Sequence, residues 1–277
     1  MFCDLVGLVC ALPQLQELYM LEGTSISQLA PPAVITQATG GQLRLQRLCL
    51  ESHPSRSPDQ ATEMALLAWL TRTQTVQART LRVLHMNTPR FSINGPDARA
   101  YHDTVARLLG RLGPSLIDLQ IPTETGVGTA LSHNTGLEEL AFGAQPATYD
   151  FDCGALSLLS DPNRSVMRTL ATLNTPRLRR LRLYLTVCLS HNFEGFPRPG
   201  GRWNITTETV DWQPLSDIIA RKDLDGLQEV TIDILYLDMG EDNPRMYFEE
   251  YHLKVDEELK KLIWYSRGIL KIIHRIS

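Results

Sequence analysis

The stretch Leu178-Arg179-Arg180-Leu181-Arg182-Leu183 places apolar residues at the first, fourth and sixth positions of a six-residue unit. The same unit recurs as Leu15-Gln16-Glu17-Leu18-Tyr19-Met20, Leu45-Gln46-Arg47-Leu48-Cys49-Leu50 and Leu81-Arg82-Val83-Leu84-His85-Met86. It returns as Leu116-Ile117-Asp118-Leu119-Gln120-Ile121, Leu137-Glu138-Glu139-Leu140-Ala141-Phe142 and Leu227-Gln228-Glu229-Val230-Thr231-Ile232. Seven copies are too many for accident. The fourth and sixth positions lie two residues apart, so both fall on one face of an extended strand. The third and fifth positions then share the opposite face.

Working outward, Gly or Pro stands within two residues ahead of five copies, at Pro13, Pro114, Gly136, Pro176 and Gly226. Such residues end a helix and release the chain into a strand. Amphipathic patterns fill the intervals. Ser57-Pro58-Asp59-Gln60 reads as a capping box with Pro at the first helical position, followed by Leu66, Trp69 and Leu70 on one face. Pro96 opens a second helix with Tyr101, Val105, Leu108, Leu109 and Leu112 at helical period, stopped by Gly113-Pro114. A third is predicted from Pro162 to Leu173 (Val166, Leu170 and Leu173 inward). A fourth is predicted from Asp211 to Ala220, with Trp212, Leu215 and Ile219 inward. Strand followed by helix, repeatedly, predicts an α/β fold of parallel strands joined by helical returns.

The strands resemble those of leucine-rich repeat proteins, and the long, unequal repeats are similar to the divergent repeat region of fungal F-box-type proteins. The copies start at residues 15, 45, 81, 116, 137, 178 and 227, whereas regular leucine-rich repeats run about 20–29 residues. The resemblance covers residues 5–237. It implies an irregular solenoid with about seven parallel strands on a concave face and helices on the convex face, engaged in recognising a protein partner such as a ubiquitination substrate. No F-box motif precedes the first copy, so a ubiquitin-ligase adaptor role is implied only if an F-box lies outside this chain. The expected organisation is a repeat array over residues 1–237, with an excursion loop at 189–211. An acidic insertion and a C-terminal cap follow over 238–277.

The 277 residues are 43% hydrophobic, 7% aromatic and 21% charged, with a formal net charge of −4. This balance argues against a dedicated nucleic-acid or membrane-surface protein. The apolar start around Leu5–Leu12 lacks the basic flank of a signal peptide, since Asp4 stands there and no Lys or Arg precedes Arg44. No apolar run reaches the ~20 residues needed to span a bilayer. The five cysteines are scattered and form no C-x-x-C pair, which points to a reducing compartment, cytoplasm or nucleus.

A search for catalytic chemistry is mostly empty. G-x-S-x-G, H-E-x-x-H and Walker motifs are missing from the sequence. Gly126-Val127-Gly128 lacks the third glycine of a dinucleotide turn. Cys188 and His191 have no second pair to complete a zinc site, and Asp238, Glu241, Asp242 and Asn243 miss the calcium-loop spacing. Neither a cofactor nor a metal is expected. An enzyme alternative places a site in the loops after Ile121 and Leu183. Against it, a sheet enclosed on both faces needs apolar residues at Glu17, Arg47, Asp118, Glu139, Arg180 and Glu229, and all six are charged.

The leading expectation is therefore a non-enzymatic module that holds a protein or peptide on the charged strand face. Its candidate contacts are Tyr19, Arg47, His85, Asp118, Arg180, Arg182 and Tyr184, together with Trp203 from the Gly/Pro- and aromatic-rich loop that also carries Phe193, Phe196 and Arg202. The cluster Arg177, Arg179, Arg180 and Arg182 reads either as an anion-binding patch or as one rung of a charge ladder. In the ladder Arg180 lies between Glu139 and Glu229, and Arg179 beside Glu138. The C-terminal run from Asp256 to Trp264 has acids before bases, which suits a capping helix. Gly268 ends it, and Ile269-Leu270-Lys271-Ile272-Ile273 is a candidate last strand.

Overall fold

The computed structural model describes residues 12, 14–20, 44–50, 60–72, 80–86, 96–122, 128–143, 169–189, 217–218, 220–221, 224–238, 252–253, 256–257, 259–261 and 263–276. Among them are eight strands: β1 (Glu17–Met20), β2 (Arg47–Leu50), β3 (Val83–Met86), β4 (Asp118–Pro122), β5 (Glu139–Gly143), β6 (Arg180–Leu189), β7 (Glu229–Asp238) and β8 (Leu270–Ile276). All pair parallel in one sheet, in the order of the sequence. Each of the seven units supplies a strand. The eighth comes from the C-terminal segment, one more than the seven strands of the repeat count.

Register follows the unit without slip, although the intervals are unequal. Fourth positions stand side by side from Leu18 through Leu48, Leu84, Leu119, Leu140 and Leu181 to Val230. One hydrogen-bond device fixes this at six successive junctions. The carbonyl at the second position of one unit accepts the amides of the second and third positions of the next. Gln16 O accepts from Gln46 N (2.7 Å) and Arg47 N (3.0 Å), and Arg179 O accepts from Gln228 N (2.8 Å) and Glu229 N (3.0 Å). The carbonyls of Gln46, Arg82, Ile117 and Glu138 do the same in between. Between β7 and β8 the pattern changes, and Val230 N donates to Ile269 O at 2.8 Å.

The leucine side of the sheet carries the core. Helices α1 (Gln60–Arg72) and α2 (Pro96–Leu112) bring Leu66, Leu67, Trp69 and Leu70, then Tyr101, Val105, Leu108, Leu109 and Leu112, into one cluster with Leu48, Leu84, Leu119 and Leu140. Each fully buried leucine contributes about 1.5–3 kcal/mol by removing apolar surface from water. The helical pattern of α2 was fully legible, since all five expected apolar residues are buried. Of the third expected helix, residues 169–171 are described as helical, with Leu170 and Leu173 buried. Of the fourth, residues 217–218 are described. Val166, Trp212, Leu215 and Ile219 lie outside the described residues, as do residues 190–211 of the excursion loop and 239–250 of the acidic insertion.

A helix leaves its last carbonyls without intrahelical partners. Here side chains from farther along the chain take them. Arg111 Nη1 donates to the carbonyls of Leu70 and Thr71 at the end of α1. Asn134 Nδ2 donates to Leu109 O at 3.0 Å, in the last turn of α2, and to Gly113 O just beyond it at 2.9 Å. Arg221 donates to the carbonyls of Leu170, Ala171 and Leu173. Gly113 ends α2 at φ +53° and Gly268 follows α3 (Ile263–Ser266) at φ +69°, left-handed backbone that glycine adopts without a Cβ clash. Where turns of neighbouring repeats stack, space is minimal. A Cβ on Gly136 would stand 2.0 Å from Pro114 O.

Candidate functional site

Alternation along the strands assigns third and fifth positions to the face away from the core. The first row on this face runs Glu17, Arg47, Val83, Asp118, Glu139, Arg180 and Glu229. A second runs Tyr19, Cys49, His85, Gln120, Ala141, Arg182, Thr231 and Lys271, and Tyr184 aligns with Asp233 one step further along β6 and β7. The six charged third positions that argued against a doubly covered sheet are all exposed or half-exposed.

Of the eight candidate contact residues, seven lie on this face, and they gather in pairs. At one end, Arg47 Nη1 donates to Tyr19 Oη at 3.2 Å, and Tyr19 Oη donates to Glu17 Oε2 at 3.0 Å. The hydrogen bond of Arg47 to Tyr19, and to a smaller extent the charge of Glu17, raises the pKa of Arg47. Midway, His85 Nε2 lies 3.0 Å from Asp118 Oδ2. Arg180 pairs with Glu139, and the nearby charges of Glu229 and Asp118 further raise its pKa. The charge ladder read from the sequence is thus present at Arg180. Arg179 stands next to Glu138, its backbone amide on the Glu138 carbonyl at 2.9 Å.

Towards the other end, Arg182 Nη1 donates to Tyr184 Oη at 3.1 Å, with the guanidinium carbon 5.8 Å from the ring centroid. That hydrogen bond, with the charges of Asp233 and Glu229, raises the Arg182 pKa against the opposing effect of desolvation. Trp203, like Phe193, Phe196 and Arg202, lies outside the described residues.

Three positions depart from the open surface expected of this face. Cys49, Thr231 and Asp233 are only 2%, 1% and 4% exposed. Each is short, and its register neighbours are longer: Tyr19 and His85 flank Cys49, Arg182 and Lys271 flank Thr231, and Tyr184 and Ile273 flank Asp233. A short side chain between long ones is shielded even on a polar face. Thr231 Oγ1 donates to Glu229 Oε1 at 2.7 Å, and Asp233 Oδ2 accepts from Arg275 Nη2 at 2.7 Å.

Asp233 and Arg275 were missed as a pair from the sequence. The signal was Arg275, which shares the alternation of Lys271 in β8 and so faces the same way. The enzyme alternative placed a loop after Leu183; instead β6 continues to Leu189, where the excursion loop was expected to begin, and its backbone pairs with β7 throughout. On the opposite side, His274 Nε2 lies 2.9 Å from Asp256 Oδ1, and the His252 ring meets His274 edge-on at 5.5 Å between centroids. Among the described residues no group of three or more His, Cys, Asp or Glu is arranged to hold a metal ion. The same residues contain no helix long and apolar enough to cross a membrane. No family model, no curated protein and no solved structure matches the chain.

Proposed function

We propose that the chain is an irregular leucine-rich-repeat-like solenoid, with strands on the concave face and helices on the convex one. In this reading it acts as a non-enzymatic protein-interaction module, in the manner of the substrate-recognition repeats of F-box-type proteins, in the cytoplasm or nucleus. The observation that carries the reading is the outward face of β1–β7. There, parallel strands in sequence order present charged and aromatic side chains in aligned rows. Mixed charge with a few Tyr and Arg anchors suits a protein or peptide surface better than a small ligand, which needs a mostly apolar enclosure.

Site-specific photocrosslinking tests it. A photoreactive residue replacing Tyr19, Gln120 or Arg182 on the outward face is expected to capture one and the same partner from cells. The same residue replacing Arg99 or Asp103 on the exposed side of α2 is expected not to. Capture only from α2, or none from the strand face with a partner that co-purifies, contradicts the proposal.

A further inference from the structure

The cations on the outward face differ in what already neutralises them. Arg180 is held by Glu139 and lies in register with Glu229 on its other side. Arg275 is held by the buried carboxylate of Asp233. Glu229, in turn, accepts the Thr231 hydroxyl. Arg47 donates to the Tyr19 hydroxyl, which is itself bonded to the Glu17 carboxylate. Arg182 is exposed, and among the described residues its hydrogen-bond partner is the hydroxyl of its own strand neighbour Tyr184, whose proton no carboxylate of those residues takes.

Lys271 is exposed two strands away in the same row, across the short, buried Thr231. Adjacent strands are about 4.8 Å apart, so Arg182 and Lys271 flank a shallow step about 10 Å wide. The Tyr184 ring beside the guanidinium limits its conformations, which lowers the entropy lost on binding.

We infer that Arg182 and Tyr184 form the anchor for an acidic side chain, Asp or Glu, of an extended peptide segment of the partner, with Lys271 as a second cationic contact. This rests on the interaction-module reading above and names the chemistry of its partner. A guanidinium presents a fork of N–H donors that matches a carboxylate, and the Tyr184 hydroxyl, which already accepts from Arg182, has its own proton to donate. A monoanion is favoured over a phosphate dianion by the charges around it. Glu229 and Asp233 act on Arg182 electrostatically, and Arg180 is already engaged by Glu139. At Arg182 a dianion would face the Glu229 carboxylate with one guanidinium at hand, since Lys271 lies two strands, about 10 Å, away and Arg275 is taken by Asp233.

The test uses the full chain and a library of random ten-residue peptides displayed on phage. Peptides enriched on the wild-type chain are expected to share an Asp or Glu. Their synthetic counterparts are expected to bind at least tenfold more weakly to Arg182→Glu, and a few-fold more weakly to Tyr184→Phe and to Lys271→Gln. Replacing the shared acid by Lys is expected to restore binding to Arg182→Glu, a charge swap that loss of folding cannot mimic. Circular dichroism of each variant, with Arg182→Gln as a milder substitution, guards against misfolding.

Enriched peptides that lack an acid and ignore Arg182→Glu, but weaken with Arg47→Glu or His85→Glu, overturn this anchor and leave the strand face as a binding surface. Peptides indifferent to every substitution on that face overturn both. Failure to enrich any peptide overturns the extended acidic segment, while the photocrosslinking result decides the broader reading separately.

Discussion

Leu48, Leu84, Leu119, Leu140 and Leu181 stand side by side across five strands, and none is more than 1% exposed. One residue earlier on the same strands, Arg47, Val83, Asp118, Glu139 and Arg180 form the matching row on the other face, half-exposed or exposed. The first row repeats one residue type, whereas the second hardly repeats at all. Identical side chains at equal spacing interlock with any neighbour of the same kind, so the leucine row sets register and stability. The outward row makes a different surface at every strand, and its pairs are solvated. A single fold thereby separates what holds the chain together from what it presents to a partner.

If the two faces are divided in this way, substitutions on them should differ several-fold in cost. Leu119→Ala, at a side chain with no exposed surface, should lose about 2–5 kcal/mol in urea unfolding. A loss below about 1 kcal/mol would place Leu119 outside the core. Asn134→Ala removes the donor that serves the carbonyls of Leu109 and Gly113, and should cost about 1–3 kcal/mol in the same assay. Its own Oδ1 is buried without a protein partner, so the loss should fall short of two full hydrogen bonds.

Gly136→Ala forces a methyl against Pro114 O and should cost about 1–3 kcal/mol by overpacking. Gly226→Ala meets its nearest atom, Pro176 O, at 3.4 Å and should cost clearly less. Equal effects would show that the turns do not stack as described. At the bottom of the scale, Arg180→Ala on the outward face should change stability by less than about 1 kcal/mol, and less still in high salt. A double-mutant cycle with Glu139→Ala measures that pair directly.

The core row was legible because a six-residue unit with fixed apolar positions needs no long-range information. Period two gives the face, and repetition gives the neighbour. That was enough to place Arg180 between Glu139 and Glu229 across intervals of 41 and 49 residues. The caps were not legible. Arg111, Asn134 and Arg221 reach helix ends 21 to 51 residues away in sequence, and nothing local marks a surface-type side chain as the partner of a distant carbonyl.

Burial of Thr231 and Asp233 escaped for a related reason. Alternation tells which way a side chain points, but shielding depends on the lengths of its neighbours on other strands. The outward cluster was partly legible, since Arg182 and Tyr184 lie two apart on one strand and were bound to share a face. What distinguishes Arg182 from Arg180 is that, among the described residues, no carboxylate is in hydrogen bond with it, and that emerged only from the geometry.

Seven unequal repeats align strand by strand, in sequence order, with third positions in register. Disulfide mapping in a background with the native cysteines replaced by alanine tests it most directly. A disulfide needs Cα atoms about 4.4–6.8 Å apart, which neighbouring strands satisfy and strands two steps apart do not. Glu139→Cys combined with Arg180→Cys, and Arg180→Cys combined with Glu229→Cys, should each oxidise readily to an intramolecular bond. Asp118→Cys with Arg180→Cys, separated by β5, should remain reduced. Efficient closure of that last pair, with failure of the two neighbouring pairs, would contradict the strand order and with it the aligned face on which the proposed function rests.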